Sequence, residues 1–237
     1  MRQVPHYLLI GRGRLARHLG HYFDLLALSY DQWHRQSPTP LAEVVTNASH
    51  VLLLISDHAI DAFIADHPIL QTKQLIHCSG SHLSDTAVGI HPLMSFGASL
   101  YDLAMYQRIP FILEQDQQDF AILLPGLPNP HFVIPRAKKA YYHSLCVMAN
   151  NFTTLLWQKF FYALEHELQI PAHYVTDYLQ QTFNNLASDP RHALTGPLVR
   201  GDQSTIDQNL TALQSDPFHD VYEAFVRAYQ LSNQELT

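Results

Sequence analysis

The sequence predicts an α/β fold: a covered parallel sheet over residues 1–135, followed by an all-helical region over residues 136–237. Three observations carry that expectation. Short apolar runs alternate with helix-patterned stretches through the first half, an order that builds parallel sheets with helices on both faces. The opening run passes directly into a glycine-rich turn. Residues 136–168, a stretch of 33, contain no glycine or proline.

The elements read in order as follows. "HYLLIG" (6–11) is a buried strand, and Leu15, Leu19 and Phe23 stripe the helix after it. "LLALSY" (25–30) is a second strand, and Leu41 to Asn47 a short helix. "HVLLLIS" (50–56) is a third strand, with Asp57 placed to cap a helix carrying Ile60, Phe63 and Ile64. Strands follow at "QLIHCSG" (74–80), "AVGIH" (87–91), "PFILE" (110–114) and "HFVIP" (131–135). Residues 136–168 fit one helix of roughly 50 Å. Leu145, Met148, Phe152, Leu155, Leu156, Phe160, Phe161 and Leu164 spread over most of its faces, so it must be buried on several sides. A second subunit is the expected source of part of that cover, which predicts a homodimer. Pro171 breaks the chain, and helical segments follow near 172–187, 202–214 and 217–231.

Composition limits the functions available. The chain has 47% hydrophobic and 15% charged residues, a globular balance. A formal charge of −7 argues against nucleic acid or an anionic membrane as partner. The apolar run in "MRQVPHYLLIG" is too short for a signal segment or a membrane span, so a cytoplasmic location is expected. Cys78 and Cys146 stand alone rather than as a disulfide framework. The 16 histidines fall into no HExxH or CxxC pattern, and no metal is expected. Only residue type would group His77, Cys78, His91 and His143 as zinc ligands.

The first strand runs into "GRGRLARHL". Gly11, Gly13 and Ala16 fit the G-x-G-x-x-G/A pattern of a Rossmann dinucleotide-binding domain. Gly11 permits the tight turn, Gly13 lets main-chain N–H groups approach a pyrophosphate, and Ala16 lets the helix pack close to the sheet. The anion then meets the positive end of the helix dipole, with Arg12, Arg14 and Leu15 around it. The plain alternative is a glycine turn without a ligand. Asp31 lies where an acidic group would hold the ribose of NAD. Arg35, with Arg12 and Arg14, suits the extra phosphate of NADP, which is the expected cofactor; NAD is the alternative, with Arg35 then an ordinary surface cation.

With these residues in view, the chain resembles the Rossmann-like proteins that carry a DUF2520 domain. These are distant relatives of pyrroline-5-carboxylate reductase, ketopantoate reductase and the 6-phosphogluconate dehydrogenase C-terminal superfamily. The resembling motifs are "GRGRLA" (11–16), "LLLISD" (52–57), "IHCSGS" (76–81), "GIHPLMSF" (89–96), "YYHSLCVMANNF" (141–152) and "ALTGPLVRGD" (193–202). The resemblance implies an NADP-dependent oxidoreductase. One departure stands out. The related β-hydroxyacid dehydrogenases place a lysine four residues before the asparagine of the long helix, and here Val147 occupies that position before Asn151. Lys138 and Lys139 lie too far upstream.

Reduction of a carbonyl or imine needs a proton donor and an orienting group. His143 is the candidate donor, because imidazole titrates near neutrality. The resemblance favours Asn151 as the orienting group, whereas an ideal helical wheel places Asn150 on the face of His143. His91, before a proline at a strand end, is a candidate substrate ligand. Ser56, Asp57 and Ser79 end other strands, where ligands of open α/β sheets bind, and the two serines would border the nicotinamide ribose; His77 ends the same strand as Ser79. In the elbow "HALTGPLVRGD" (192–202), Gly196 and Pro197 stop one segment and Asp202 caps the next. That leaves Thr195 and Arg200 as substrate residues, Arg200 pairing with a carboxylate or phosphate. Each of these residues also has a purely structural alternative, as a cap, turn bond or packing contact. The expected function is reduction of a small polar acid or imine bound between the domains. The alternative is a catalytically silent NADP(H)-binding sensor.

Overall fold

The computed structural model describes residues 5–115 and 119–235. Among them seven strands form one sheet: β1 (His6–Ile10), β2 (Ser29–Trp33), β3 (His50–Leu53), β4 (Gln74–His77), β5 (Val88–Pro92), β6 (Phe111–Glu114) and β7 (His131–Ile134), in the order β2-β1-β3-β4-β5-β6-β7. Helices α1 (Arg14–Leu25), α2 (Leu41–Asn47), α3 (Ile60–Asp66), α4 (Leu103–Arg108) and α5 (Phe120–Leu123) connect them. Alternate residues of β1 enter opposite layers: Tyr7 and Leu9 pack with Phe23, Leu52, Ile76 and Ile90, while Leu8 and Ile10 pack with Val45, Val51, Leu53 and Ile60. A strand buried on both faces loses its polar alternation, which is why β1 reads as a continuous apolar run. Each such side chain contributes roughly 1.5–3 kcal/mol on burial. The order reverses between β1 and β3, and that reversal opens the crevice at their carboxyl ends.

Four expectations are corrected. The sheet is not wholly parallel: β6 runs antiparallel to β5, and β7 parallel to β6. Pro92 at the end of β5 pairs with Phe111 at the start of β6, and the Leu93 N–H donates to the Pro110 carbonyl at 2.8 Å, so the chain turns back without a crossover. The second strand starts at Ser29 rather than Leu25. Leu25 still belongs to α1, and Ala27 turns the chain at φ 52°. Leu26 and Leu28 pack against the core from this turn, while the edge strand itself carries polar, partly exposed residues. Asp57 does not cap a helix: a 3₁₀ turn over Asp57–Ala59 precedes α3, without a side-chain cap.

The run from Arg136 is also not one uniform helix. A 3₁₀ turn (Arg136–Lys138) leads into α6 (Lys139–Cys146), then a π-helical turn (Val147–Phe152), then α7 (Thr153–His166). Thr154 donates its hydroxyl to the Asn150 carbonyl at 2.8 Å, satisfying an acceptor in the widened turn.

Contacts divide the chain into compact units of residues 1–156 and 157–237. The change of composition at residue 136 marks the end of the sheet, whereas residues 136–156 pack with the sheet unit. In the second unit α8 (Thr176–Ser188), α9 (Pro197–Arg200), α10 (Gln203–Ala212) and α11 (His219–Glu235) follow. Trp157 packs there against Phe160, Phe161, Tyr178 and Phe183. Lys159 pairs with Asp216 at 2.5 Å.

Candidate functional site

The site begins where β1 ends. Gly11 takes φ 136°, a conformation that favours glycine, and any side chain there would overlap the carbonyl of Leu54. Its N–H donates to the Trp33 carbonyl at 2.8 Å, and its own carbonyl accepts from Gln32 Nε2 at 2.8 Å. The turn is thereby held between β2 and β3. Gly13 differs: it has an ordinary backbone, and a Cβ built on it meets nothing within 4 Å. The space above it belongs to a cleft of about 720 Å³ over the carboxyl ends of β1, β3 and β4. Gly11, Arg12, Gly13, Arg14 and Leu15 line it on one side, Ser56, Asp57 and Ser79 on another, and Trp33 to Gln36, including Arg35, on a third. Ala16 is buried beneath the turn, where α1 lies against the sheet. N–H groups of the first turn of α1 are the main-chain donors at this edge.

Asp31 does not reach this cleft. It lies two residues inside β2 and meets His6 Nε2 at 2.8 Å, on the first residue of β1. The three-residue displacement of β2 moved the strand end to Trp33, so Arg35 rather than Asp31 faces the ligand space. Arg14 lines the cleft and also donates to the Phe96 carbonyl at 3.2 Å. In the floor, Ser79 Oγ donates to Asp57 Oδ2 at 2.5 Å and accepts the N–H of His82 at 2.9 Å. Burial pushes the neighbouring Cys78 thiol up, which keeps it protonated.

Beyond β4 lies a histidine group. His91 Nδ1 bonds the Tyr142 hydroxyl at 2.7 Å, and its ring meets that of His143 edge-on at 5.8 Å between centroids. Burial, and after it the nearness of His143 and Lys139, lowers the His91 pKa to about 4, so its ring is neutral at pH 7. His77 is fully buried and packs against His82; burial and then Lys139 lower its pKa to about 3. His143 packs on Gly80 so closely that a side chain at residue 80 would overlap the ring. Its Nδ1 is enclosed without a partner among the described residues. An unpartnered lone pair costs less than an unpartnered N–H, so the arrangement favours a proton on Nε2, the less enclosed nitrogen.

Asn150 and Asn151 both fall in the π turn, where an ideal α-helical wheel no longer applies; both are exposed, and Asn150 Nδ2 donates to Asn151 Oδ1 at 3.3 Å. Thr195 and Arg200 belong to the second compact unit. Gly196 turns at φ 95°, Pro197 opens α9, and Asp202 Oδ1 accepts from the Thr205 N–H at 3.1 Å as a helix cap. The Arg200 side chain is exposed, 4.0 Å from Asp202.

Sequence reasoning passed over two groups. Lys139 and Glu114 form a buried pair with Nζ–Oε1 at 2.5 Å. A glutamate ending the apolar strand "PFILE" was the available signal, because a buried carboxylate requires a cation. Tyr142, the partner of His91, carried no comparable signal.

Residues 109–229 match the model of the family described as Domain of unknown function (DUF2520). The fold is similar to that of a candidate NADP oxidoreductase of Bacteroides fragilis, with TM-score 0.75, 20% identity and coverage of 95% of this chain and 97% of that one. A protein of Thermotoga maritima gives TM-score 0.66 at 23% identity, over 98% of this chain and all (100%) of the other. Pyrroline carboxylate reductase of Plasmodium falciparum, with NADP bound, gives TM-score 0.58 at 11% identity, over 95% and 96% of the two chains. At these identities the likeness establishes the fold. No curated protein sequence matches the chain significantly.

Proposed function

Because the chain belongs to the DUF2520 family and has a Rossmann sheet unit, we propose that it is an oxidoreductase using NADP(H), acting on a small polar acid or imine. The observation that carries this reading is the cleft at the β1–β3 switch point, with open space over Gly13 and Arg12, Arg14 and Arg35 around it. Bound there, the nicotinamide would supply a hydride. The N–H groups at the start of α1 would hold the pyrophosphate, and Arg35 the 2′-phosphate. NADP bound to the similar fold from Plasmodium falciparum supports the same cofactor class. Ser56, Asp57 and Ser79 would border the ribose on the nicotinamide side.

His143 is the proposed proton donor, through Nε2. His91 is neutral and fixed by Tyr142, so it would accept or donate a hydrogen bond to substrate without adding charge. Asn151 is the proposed orienting group. A homodimer completes the proposal. Tyr141, Leu145, Met148, Phe152 and Leu155 are each 45–62% exposed along this helical run, an apolar face that a second chain would cover.

Fluorescence titration with NADPH and NADH tests the cofactor, and cofactor oxidation with small keto acids and imines tests the reaction. Tighter binding of NADPH is expected; no binding of either coenzyme overturns the proposal. Substitution His143→Ala should lower turnover 10²-fold or more. A sensor without turnover is the second reading, favoured by Val147 where related enzymes carry lysine. Tight NADPH binding with no oxidation over the whole screen would support it.

A further inference from the structure

The loop of residues 78–84 joins the dinucleotide cleft to the histidine group. At one end Ser79 holds Asp57 of the cleft; next to it, Gly80 lies under the His143 ring. Its main chain leaves the β-ladder after β4 and is held by side chains. Ser79 Oγ accepts the N–H groups of Ser81 and His82 from inside the loop. Lys139 Nζ, in the first turn of α6, donates to the His82 carbonyl at 2.6 Å. Arg136 donates to the Ser84 carbonyl at 3.0 Å just beyond. Lys139 and Glu114 have side chains only 3% exposed, and Gly89 on β5 leaves the room that their pair fills. Two buried charges are a poor way to gain stability, because their desolvation cancels most of the attraction. What an apolar pair in that place would lack is the donor to the His82 carbonyl.

We propose that Lys139, with Glu114 as its buried counter-charge, is a positioning residue that clamps the 78–84 loop and so sets Ser79 and Gly80 against Asp57 and His143. Its catalytic purpose rests on the oxidoreductase reading; the clamp itself does not. Without the Nζ bond the His82 carbonyl loses its donor, and the loop that spaces the cofactor floor from the proton donor loosens.

Hydrogen exchange and histidine NMR of the free protein test the clamp. In the Lys139→Met/Glu114→Leu double variant, exchange over residues 79–84 should rise tenfold or more while β1 and β3 keep native protection. The His143 ring resonances should shift as Gly80 moves. Glu114→Gln alone, which keeps the Nζ donor but leaves its charge without a partner, should raise exchange over residues 79–84 no more than over β1 and β3. If the apolar double variant does not fold, Lys139→Gln/Glu114→Gln is measured instead: glutamine is one atom too short to reach the His82 carbonyl, so the same loosening is expected. A folded double variant with native exchange at 79–84 and unmoved His143 signals overturns the proposal. NADPH affinity is then read separately, with about a tenfold loss expected in the loosened variant. Failure of the native protein to bind either coenzyme would sink the oxidoreductase reading and leave the clamp standing.

Discussion

Gly11 and Gly13 are two residues apart and are glycines for different reasons. At Gly11 both the positive φ and the Leu54 carbonyl exclude a side chain, so Gly11→Ala should destabilise the fold by about 2 kcal/mol or more, measured by urea unfolding. At Gly13 nothing among the described residues opposes a methyl group. Gly13→Ala should therefore leave the melting temperature nearly unchanged and weaken NADPH binding tenfold or more, read by calorimetry. Equal binding by that variant would mean the open space is not phosphate space. The histidines make a second prediction at this scale. Burial lowers the pKa values of His77 and His91 to about 3 and about 4, below the unfolded value near 6.5. Between these limits the unfolded chain binds more protons, so the stability these neutral rings retain above pH 6.5 is lost as pH falls towards 4. Unfolding at pH 5.5 should be easier than at pH 7.5 by up to about 3 kcal/mol from the two groups together. The double variant His77→Asn/His91→Asn should flatten that dependence.

At the scale of elements, the reversal of β6 and β7 is anchored by one side chain. Asn129 Nδ2 donates to the Tyr106 and Ile109 carbonyls at 2.7 and 2.9 Å, and its Oδ1 accepts the Tyr22 hydroxyl at 2.7 Å. It ties α1 to the end of α4 just before β6. Replacement by alanine leaves the Tyr22 hydroxyl and the Ile109 carbonyl unpaired, while the Tyr106 carbonyl keeps the Ile109 N–H at 3.1 Å, and should cost about 3 kcal/mol, measured by denaturant unfolding. None of this was legible beforehand, since an asparagine between two prolines reads as a turn residue. The apolar runs of β1, β3 and β4 were legible because a strand buried on both faces has to be apolar throughout. β2 was misplaced for the converse reason: an edge strand keeps polar residues, and the more apolar residues before it belong to a helix end and a turn. The π turn was equally hidden, because main-chain bonding to the fifth residue leaves no signature in side-chain periodicity.

For the whole molecule, the apolar face from Tyr141 to Leu155 sets the test. Leu145→Asp with Phe152→Asp should convert a dimer into a monomer of half the mass by light scattering, with the sheet unit still folded. A native protein already monomeric at micromolar concentration would remove this face as an interface. No helix among the described residues is long and apolar enough to cross a membrane, so another explanation would then be needed for this exposed apolar face.

By itself the sequence determined the buried strands, the glycine turn after β1, the cap at Asp202 and the family, because each follows from local patterns of burial, backbone freedom or resembling motifs. Only the tertiary structure decided that Arg35 faces the cleft while Asp31 turns to His6, and that His143 rests on Gly80. It alone also brought Lys139 and Glu114, 25 positions apart, into one buried bond. Those outcomes depend on strand ends and on partners distant in the chain, and neither strand parity nor spatial proximity is written in local composition.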